Sequence, residues 1–234
     1  MVAQKDPSLT EGYAVLVNID KCIGCRTCQI ACKDWNGRQV VETSFSPTFT
    51  NPPDLTSEDW KVVFYYEGTT KKALVTPDGE IVFEEVDTAS LPFQCMHCVE
   101  PACAAECPVG AIETTPEGAV VINSDECIGC GTCETTCPFG VPKLSTVDEK
   151  SHKCTFCVDR IRNGKMPVCV EVCPTGVFTF GKAKDIVEQA KSMAAQGNVV
   201  YGLDVGGGVR WIYVASQRKS FAIQQHFAER GKPE

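Results

Sequence analysis

Cys22-Ile23-Gly24-Cys25-Arg26-Thr27-Cys28-Gln29-Ile30-Ala31-Cys32 sets four cysteines in the spacing C-x2-C-x2-C-x3-C. The same spacing returns 105 residues later in Cys127, Cys130, Cys133 and Cys137, and the flanks repeat with it: AVLVNIDKCIGCRTCQIAC from Ala14 lies beside AVVINSDECIGCGTCETTC from Ala119. Two looser groups share a second pattern, PACAAECPVGAIE against PVCVEVCPTGVFTF. They contain Cys95, Cys98, Cys103 and Cys107, and Cys154, Cys157, Cys169 and Cys173. The chain therefore reads as two kinds of quartet in alternation, which use all 16 cysteines. Internal repetition of this kind marks duplicated structural units.

The spacing has a chemical reason. Thiolates at i, i+3 and i+6 line one tight loop and reach three corners of an iron–sulfide cube. The fourth, a few residues on, points away and serves a neighbouring cluster; this is the bacterial ferredoxin signature for [4Fe–4S]. Pro108, Pro138 and Pro174 follow the fourth cysteine of three quartets, and Lys33 takes that place in the first. Gly24, Gly129 and Gly131 give the loops access to positive φ, so that backbone N–H groups turn toward sulfur. A disulfide framework and four structural zinc sites are the competing uses of the cysteines. Disulfide frameworks suit short secreted chains, and zinc sites use paired knuckles rather than triplets.

Outside the cysteines the chain is ordinary. It has 234 residues, 43% hydrophobic and 22% charged, a globular composition. The net charge of −8, with no basic stripe, excludes nucleic acid as the expected partner. No apolar run reaches the roughly 18–20 residues that would span a bilayer. The start, MVAQKDPSLTEGY, shows neither an apolar leader core nor twin arginines.

A two-cluster unit needs one quartet of each kind, because their fourth cysteines are exchanged. The second and third quartets are separated by only 108–126, a strand–turn–strand pattern, and form one contiguous unit. The first and fourth then pair across the rest of the chain. The expected sets are Cys22, Cys25, Cys28 with Cys173 (set 1); Cys154, Cys157, Cys169 with Cys32 (set 2); Cys95, Cys98, Cys103 with Cys137 (set 3); and Cys127, Cys130, Cys133 with Cys107 (set 4). Sequential pairing, one with two and three with four, is the alternative; it must bridge the 62 residues between Cys32 and Cys95.

The expected fold is α+β, with two bacterial-ferredoxin-like modules in one chain, a β-rich insertion and a C-terminal helix/strand extension. The boundaries are 14–36 with 143–181 for quartets one and four, 37–90 for the insertion, 91–142 for quartets two and three, and 182–234 for the extension, read as partner-docking. Strands are predicted over Lys61–Tyr66, Ala73–Thr76, Glu80–Val86, Val199–Leu203 and Val209–Ala215. Thr76–Gly79 reads as a turn, 182–196 as an amphipathic helix, Gly206–Gly208 as a turn rather than a nucleotide loop, and 216–234 as a short helix or an arm on a partner.

Each oxidised cluster with four thiolates carries about −2, so compensating cations are expected. Lys143, Lys150, Lys153, Arg160, Arg162 and Lys165 gather around the third and fourth quartets, either as a solvated basic face or to raise cluster potentials or dock an acidic partner. His97 is read as a loop or hydrogen-bonding residue, His152 and His226 as surface residues, and Trp35, Trp60 and Trp211 as packing or interface residues. With no open iron site, no nucleophile set and no phosphate loop, no catalytic residue is assigned; one-electron transfer is the chemistry left.

Across residues 14–181 the quartets resemble the four-cluster electron-transfer subunits of the dimethyl sulfoxide reductase family of molybdenum and tungsten enzymes. The stretches CIGCRTCQIACKDWNG, NPPDLTSEDWKVV, CMHCVEPAC, CIGCGTCETTCPFGVPK and KCTFCVDRIRNGKMPVCVEVCPTGVFTFG look most like the formate dehydrogenase beta subunit. The resemblance implies a hetero-complex with a large catalytic subunit that holds a bis-pterin molybdenum or tungsten centre. Electrons would enter at set 1 and pass through sets 2 and 3 to leave at set 4. A polysulfide, dimethyl sulfoxide, arsenate or aldehyde enzyme is the alternative partner, and a zinc-stapled interaction module the alternative outside electron transfer. The tail FAIQQHFAERGKPE is too polar to span a membrane, so the resemblance is read toward a soluble subunit serving a cytochrome or ferredoxin-like carrier. Co-export in folded form with a twin-arginine-bearing partner to the periplasm is expected, with the cytoplasm as the other compartment.

Overall fold

The computed structural model describes residues 8–46, 48–69, 74–75, 78–79, 81–82, 86–228 and 230. The first strand, β1 (Tyr13–Asn18), reads AVLV in its middle and buries all four of these residues. A continuous apolar run is what a strand covered on both faces requires. A single 3-10 turn follows, capped by Asn18, whose side chain accepts from the Asp20 N–H at 3.1 Å. The first cysteine loop leads into α1 (Thr27–Trp35), with Cys28 and Cys32 on its buried side.

β2 (Lys61–Thr69) forms a long antiparallel ladder with β5 (Val86–Gln94), in register from Lys61↔Gln94 to Thr69↔Val86. Between them β3 (Leu74–Val75) pairs with β4 (Ile81–Val82). Of the predicted 73–76 and 80–86 strands, 73, 76, 80 and 83–85 lie outside the described residues, as do Thr76 and Pro77 of the predicted turn; Val86 opens β5. The strand through Gln94 was not predicted, because DTASLPFQ has weak alternation and a proline; Pro92 is nonetheless paired, opposite Val63.

α2 (Ala102–Ala105) follows the second cysteine loop. The hairpin β6 (Ile112–Thr114) with β7 (Val120–Ile122) fills the predicted strand–turn–strand segment, and α3 (Thr132–Thr136) carries Cys133. β8 (Lys143–Leu144) pairs with β9 (Ser151–His152), and α4 (Val158–Arg162) and α5 (Val168–Glu171) flank the last quartet. β10 (Phe178–Lys182), α6 (Ala183–Ala195), β11 (Val199–Tyr201), β12 (Trp211–Ala215) and α7 (Ser220–Ala228) complete the chain, with Val205–Gly207 a 3-10 turn. The structure is thus mixed α and β.

One four-stranded sheet ties the two ends together in the order β10-β1-β12-β11. β1 runs antiparallel to β10 and parallel to β12, with Val15 opposite both Phe180 and Trp211. Its two faces do different work. Ala14 and Leu16, with Ile212 and Val214, pack under Ile186, Val187 and Ala190 of α6. Val15 and Val17, with Trp211 and Tyr213, face the larger core that holds the cysteine loops. Fully burying a side chain of this size contributes roughly 1.5–3 kcal/mol, so the sheet is a rigid floor for the loops.

α7 packs across β2, β5 and β12 of the same polypeptide. Phe227 stacks on Tyr201 with ring centroids 3.8 Å apart, and His226 meets the Phe93 ring edge-on at 4.3 Å. The expectation of a surface His226 is therefore corrected: it lies on the inner side of the helix, with Nδ1 bonded to the Tyr66 hydroxyl. His152 is also buried, stacked on Trp60 and paired with Asp148 at 2.8 Å. A single residue type has no periodicity, and neither position carried a sign of its burial.

Candidate metal centres

None of the sixteen cysteines is joined in a disulfide. Cys22, Cys25, Cys28 and Cys173 line one small cavity, together with Arg26, Val63 and Phe178. Cys107, Cys127, Cys130 and Cys133 line another. Cys95, Cys98, Cys103 and Cys137 line a third, with Phe139 and Lys153 in its wall. The remaining four meet where α1 lies against α5: Cys32 is almost wholly buried, and Cys154, Cys169 and Cys157 are the thiols that act on it most strongly. Among the described residues no three Cys, His, Asp or Glu side chains converge tightly enough for a single metal ion. The thiols ring a space instead of closing on a point, which suits a polynuclear group.

The two tight loops are built alike. Gly24 and Gly129 have φ of 70° and 68°. A Cβ on Gly24 would lie 2.6 Å from the Tyr65 ring, and one on Gly129 would overlap the Glu149 carbonyl oxygen. Only glycine meets both demands. In each loop a threonine hydroxyl sits 3.4 Å from the middle thiol, Thr27 by Cys25 and Thr132 by Cys130. Thr132 is the main reason that the Cys130 thiol is held below its ordinary pKa. The helix then opens on a left-handed residue, Arg26 in one loop and Gly131 in the other. In the fourth quartet Phe156 and Cys157 take positive φ without being glycine, and the Phe156 N–H points at the Cys154 sulfur at 3.4 Å. Left-handed non-glycine residues cost on the order of 1–2 kcal/mol and persist where the surroundings impose them.

Burial dominates the electrostatics. It pushes the Cys28, Cys103 and Cys157 thiols up to about 12, and raises Cys32, Cys98 and Cys154 as well. Neutral thiols are therefore the stable form of these side chains alone, and a cationic group is needed to make them thiolates together. That demand fits iron better than it fits a bare structural core. The thiols that raise one another also cross the groups: Cys28 has Cys169 beside it, Cys154 has Cys95, and Cys103 has Cys133.

The basic residues divide. Lys153 is buried and donates to the Val120 carbonyl, and Arg160 is buried against Glu171. Lys143 pairs with Glu134 at 3.2 Å and Arg162 with Glu117 at 3.0 Å. Of the two alternatives, a single solvated basic face does not describe these residues: Lys153 and Arg160 are buried, and Lys143 and Arg162 are held in two rim pairs. His97 is buried; its Nδ1 accepts from the Val120 N–H at 2.9 Å, and burial drives its pKa well below the ordinary value, so the ring is neutral. Trp211 is wholly buried, whereas Trp35 is exposed, its N–H on Asp159 and its ring under Arg160. Sequence reasoning missed Lys61, whose side chain is buried beside Cys28 and Cys169. A lysine opening the alternating run KVVFYY carries no mark that sets it apart from a solvated one.

A 4Fe-4S dicluster domain family matches residues 86–183, which span the second, third and fourth quartets, and a 4Fe-4S binding domain family matches 19–35, around the first. The nitrate-inducible formate dehydrogenase iron-sulfur subunit of Escherichia coli K12 is 35% identical over 223 residues, covering 89% of this chain and 71% of that protein. The formate dehydrogenase-O iron-sulfur subunit of the same organism is 36% identical over 190 residues, 80% of this chain and 58% of that protein. The B subunit of its anaerobic dimethyl sulfoxide reductase is 32% identical over 188 residues, 80% of this chain and 82% of that protein. With its cysteine loops, glycine turns and lengthwise similarity taken together, the protein belongs to the family of iron–sulfur subunits that formate dehydrogenases share with dimethyl sulfoxide reductase.

Proposed function

We propose that the chain relays single electrons through four [4Fe–4S] clusters held by sets 1 to 4, between a molybdenum- or tungsten-pterin catalytic subunit and an external carrier. A relay role without a catalytic centre of its own is what membership of this family carries. The observation that supports the grouping is the composition of the three cavities: each is lined by three cysteines of one quartet and a fourth from another. A bound cluster supplies a one-electron carrier that forms and breaks no bond to substrate. The protein's part is to hold four thiolates, shield the site from water and fix the surrounding charge. The neighbours Cys28–Cys169, Cys154–Cys95 and Cys103–Cys133 support the order 1, 2, 3, 4 for the relay.

Formate is the proposed source of electrons: in the partner it would give up two electrons and a proton to become carbon dioxide, and the relay would pass the electrons singly. The similarity to the dimethyl sulfoxide reductase subunit, which extends over 82% of that protein, supports a second reading in which the same relay serves another pterin enzyme. Among the described residues no helix is long and apolar enough to cross a membrane, and a water-soluble carrier, such as a cytochrome or ferredoxin-like protein, is the proposed acceptor, with the complex exported in folded form.

The test is anaerobic purification of the native complex followed by iron and sulfide analysis and reduction with formate. About 16 iron and 16 sulfide per chain and formate-dependent bleaching are expected, from four clusters of four irons each. About four zinc without sulfide would end the relay, and full clusters that formate leaves oxidised would move the substrate to the second reading.

A further inference from the structure

Lys61 opens β2 directly opposite Gln94, at the end of the long ladder. Only 1% of its surface is exposed. Its ammonium donates to the Gln94 side-chain carbonyl and lies 4.6 Å and 4.5 Å from the centres of the Phe178 and Trp211 rings. Gln94 donates in turn to the Tyr213 hydroxyl at 3.1 Å, which donates to the Pro92 carbonyl at 2.8 Å. Every partner in this network is neutral. Among the described residues Lys61 forms no ion pair with a carboxylate.

A buried charge without a counter-charge is among the costliest groups that a fold can hold. Two aromatic faces and one amide orient the ammonium but do not neutralise it. The groups that take the opposite sign once a cation binds them are thiols: Cys169, Cys28, Cys154 and Cys32 all favour the charged lysine. One of these belongs to set 1 and three to set 2. The hydrogen-bond network behind Nζ holds the ammonium against Phe178, which lines the set 1 cavity, and Trp211, whose ring meets Phe156 between the set 2 residues Cys154 and Cys157.

We propose that Lys61 is the buried counter-charge shared by sets 1 and 2, and that it makes both of their clusters easier to reduce than either would be without it. The inference rests on the reading of the sets as cluster ligands. A positive charge a few ångströms from a site that gains one electron stabilises the reduced form by simple Coulomb attraction, and weak screening in the interior preserves the effect. Lys61 acts through this field as a positioning residue; it binds neither iron nor substrate.

The experiment is a redox titration of the native complex, followed by electron paramagnetic resonance. Signals are assigned to sets 1 and 2 through the spectral changes in Cys25→Ser and Cys157→Ser. In Lys61→Met, which keeps the length and removes the charge, the reduction equilibrium of both clusters should fall about tenfold, a change of about 59 mV for a one-electron couple. Those of sets 3 and 4, whose thiols are not among the groups that favour the charged lysine, should move several-fold less. Lys61→Arg should restore both to within about threefold. Gln94→Glu, which leaves Lys61 present but sets a carboxylate on its ammonium, should lower the same two. If Lys61→Met retains full iron and sulfide and neither equilibrium moves, the inference is overturned. If Lys61→Met loses its clusters, Gln94→Glu decides, and unmoved equilibria there overturn it. Wild-type complex without iron and sulfide would instead overturn the cluster reading itself, and this inference with it.

Discussion

The two tight cysteine loops are near copies in sequence and differ in what surrounds them. In both, glycine at the third loop position takes positive φ, and a threonine hydroxyl sits 3.4 Å from the middle thiol. Around the first loop, however, the β2–β5 ladder stands close. Tyr65 donates to the Gly24 carbonyl, receives a hydrogen bond from Arg26 at 3.1 Å, and lies under the Arg26 guanidinium. Around the third-quartet loop it is the Glu149 backbone, between β8 and β9, that stands against Gly129, and Gly131 has open space where the first loop has Arg26. The duplicated motif specifies how thiols are presented. The insertion, which only one copy has beside it, specifies the charge and packing that the thiols experience.

The comparison is broken most severely at Gly129. Gly129→Ala forces both a left-handed alanine and an overlap with the Glu149 carbonyl, and a loss of about 3 kcal/mol or more is expected. Thermal unfolding, with iron analysis of the surviving fraction, measures it. Gly131→Ala faces the same backbone demand with open space, so only about 1 kcal/mol should be lost and iron content should hold. Equal losses at the two positions would show that conformation, and not crowding, sets the cost.

Cys32→Ser should disturb the paramagnetic signal of the cluster held by Cys154, Cys157 and Cys169, and leave that of Cys22, Cys25 and Cys28 in place. The reverse result would replace crossed sets by sets local in sequence. Tyr65→Phe removes hydrogen bonds to Gly24 and Arg26 around the first loop alone, and about 1 kcal/mol should be lost in unfolding by denaturant. The smallest effect is expected from Thr27→Val and Thr132→Val. Each removes a hydroxyl that lies within weak hydrogen-bonding distance of sulfur and donates to it when the sulfur is a thiolate, so each should make its own cluster slightly harder to reduce, by similar amounts at the two ends. A several-fold difference between them would mean that the surroundings reach further into the loop than the shared threonine suggests.

How far the fold and the centres could be read from sequence follows the range of the forces involved. The cysteine triplets are local: three thiols within seven residues share a loop whatever the rest of the chain does. β1 was legible because AVLV is apolar throughout, and α6 because Ile186, Val187 and Ala190 recur at helical spacing. β5 was legible only at its start, since Pro92 and the polar residues before it hide a strand that its pairing with β2 holds in place. Lys61, His226 and His152 were not legible at all. Their burial comes from partners distant in sequence, Gln94 and Trp211 for the lysine and Tyr66 and Phe93 for His226, and nothing beside them in the chain records it.

β1 sits between β10 and β12, so it finds its last neighbour only when Trp211–Ala215, nearly 200 residues later, has been translated. Until then Val15 and Val17 lack the cover that β12 gives them. The second and third quartets, by contrast, lie within a single stretch of nascent polypeptide. Folding is therefore set to spread outward from these two quartets, with β1 enclosed only after β12 has emerged.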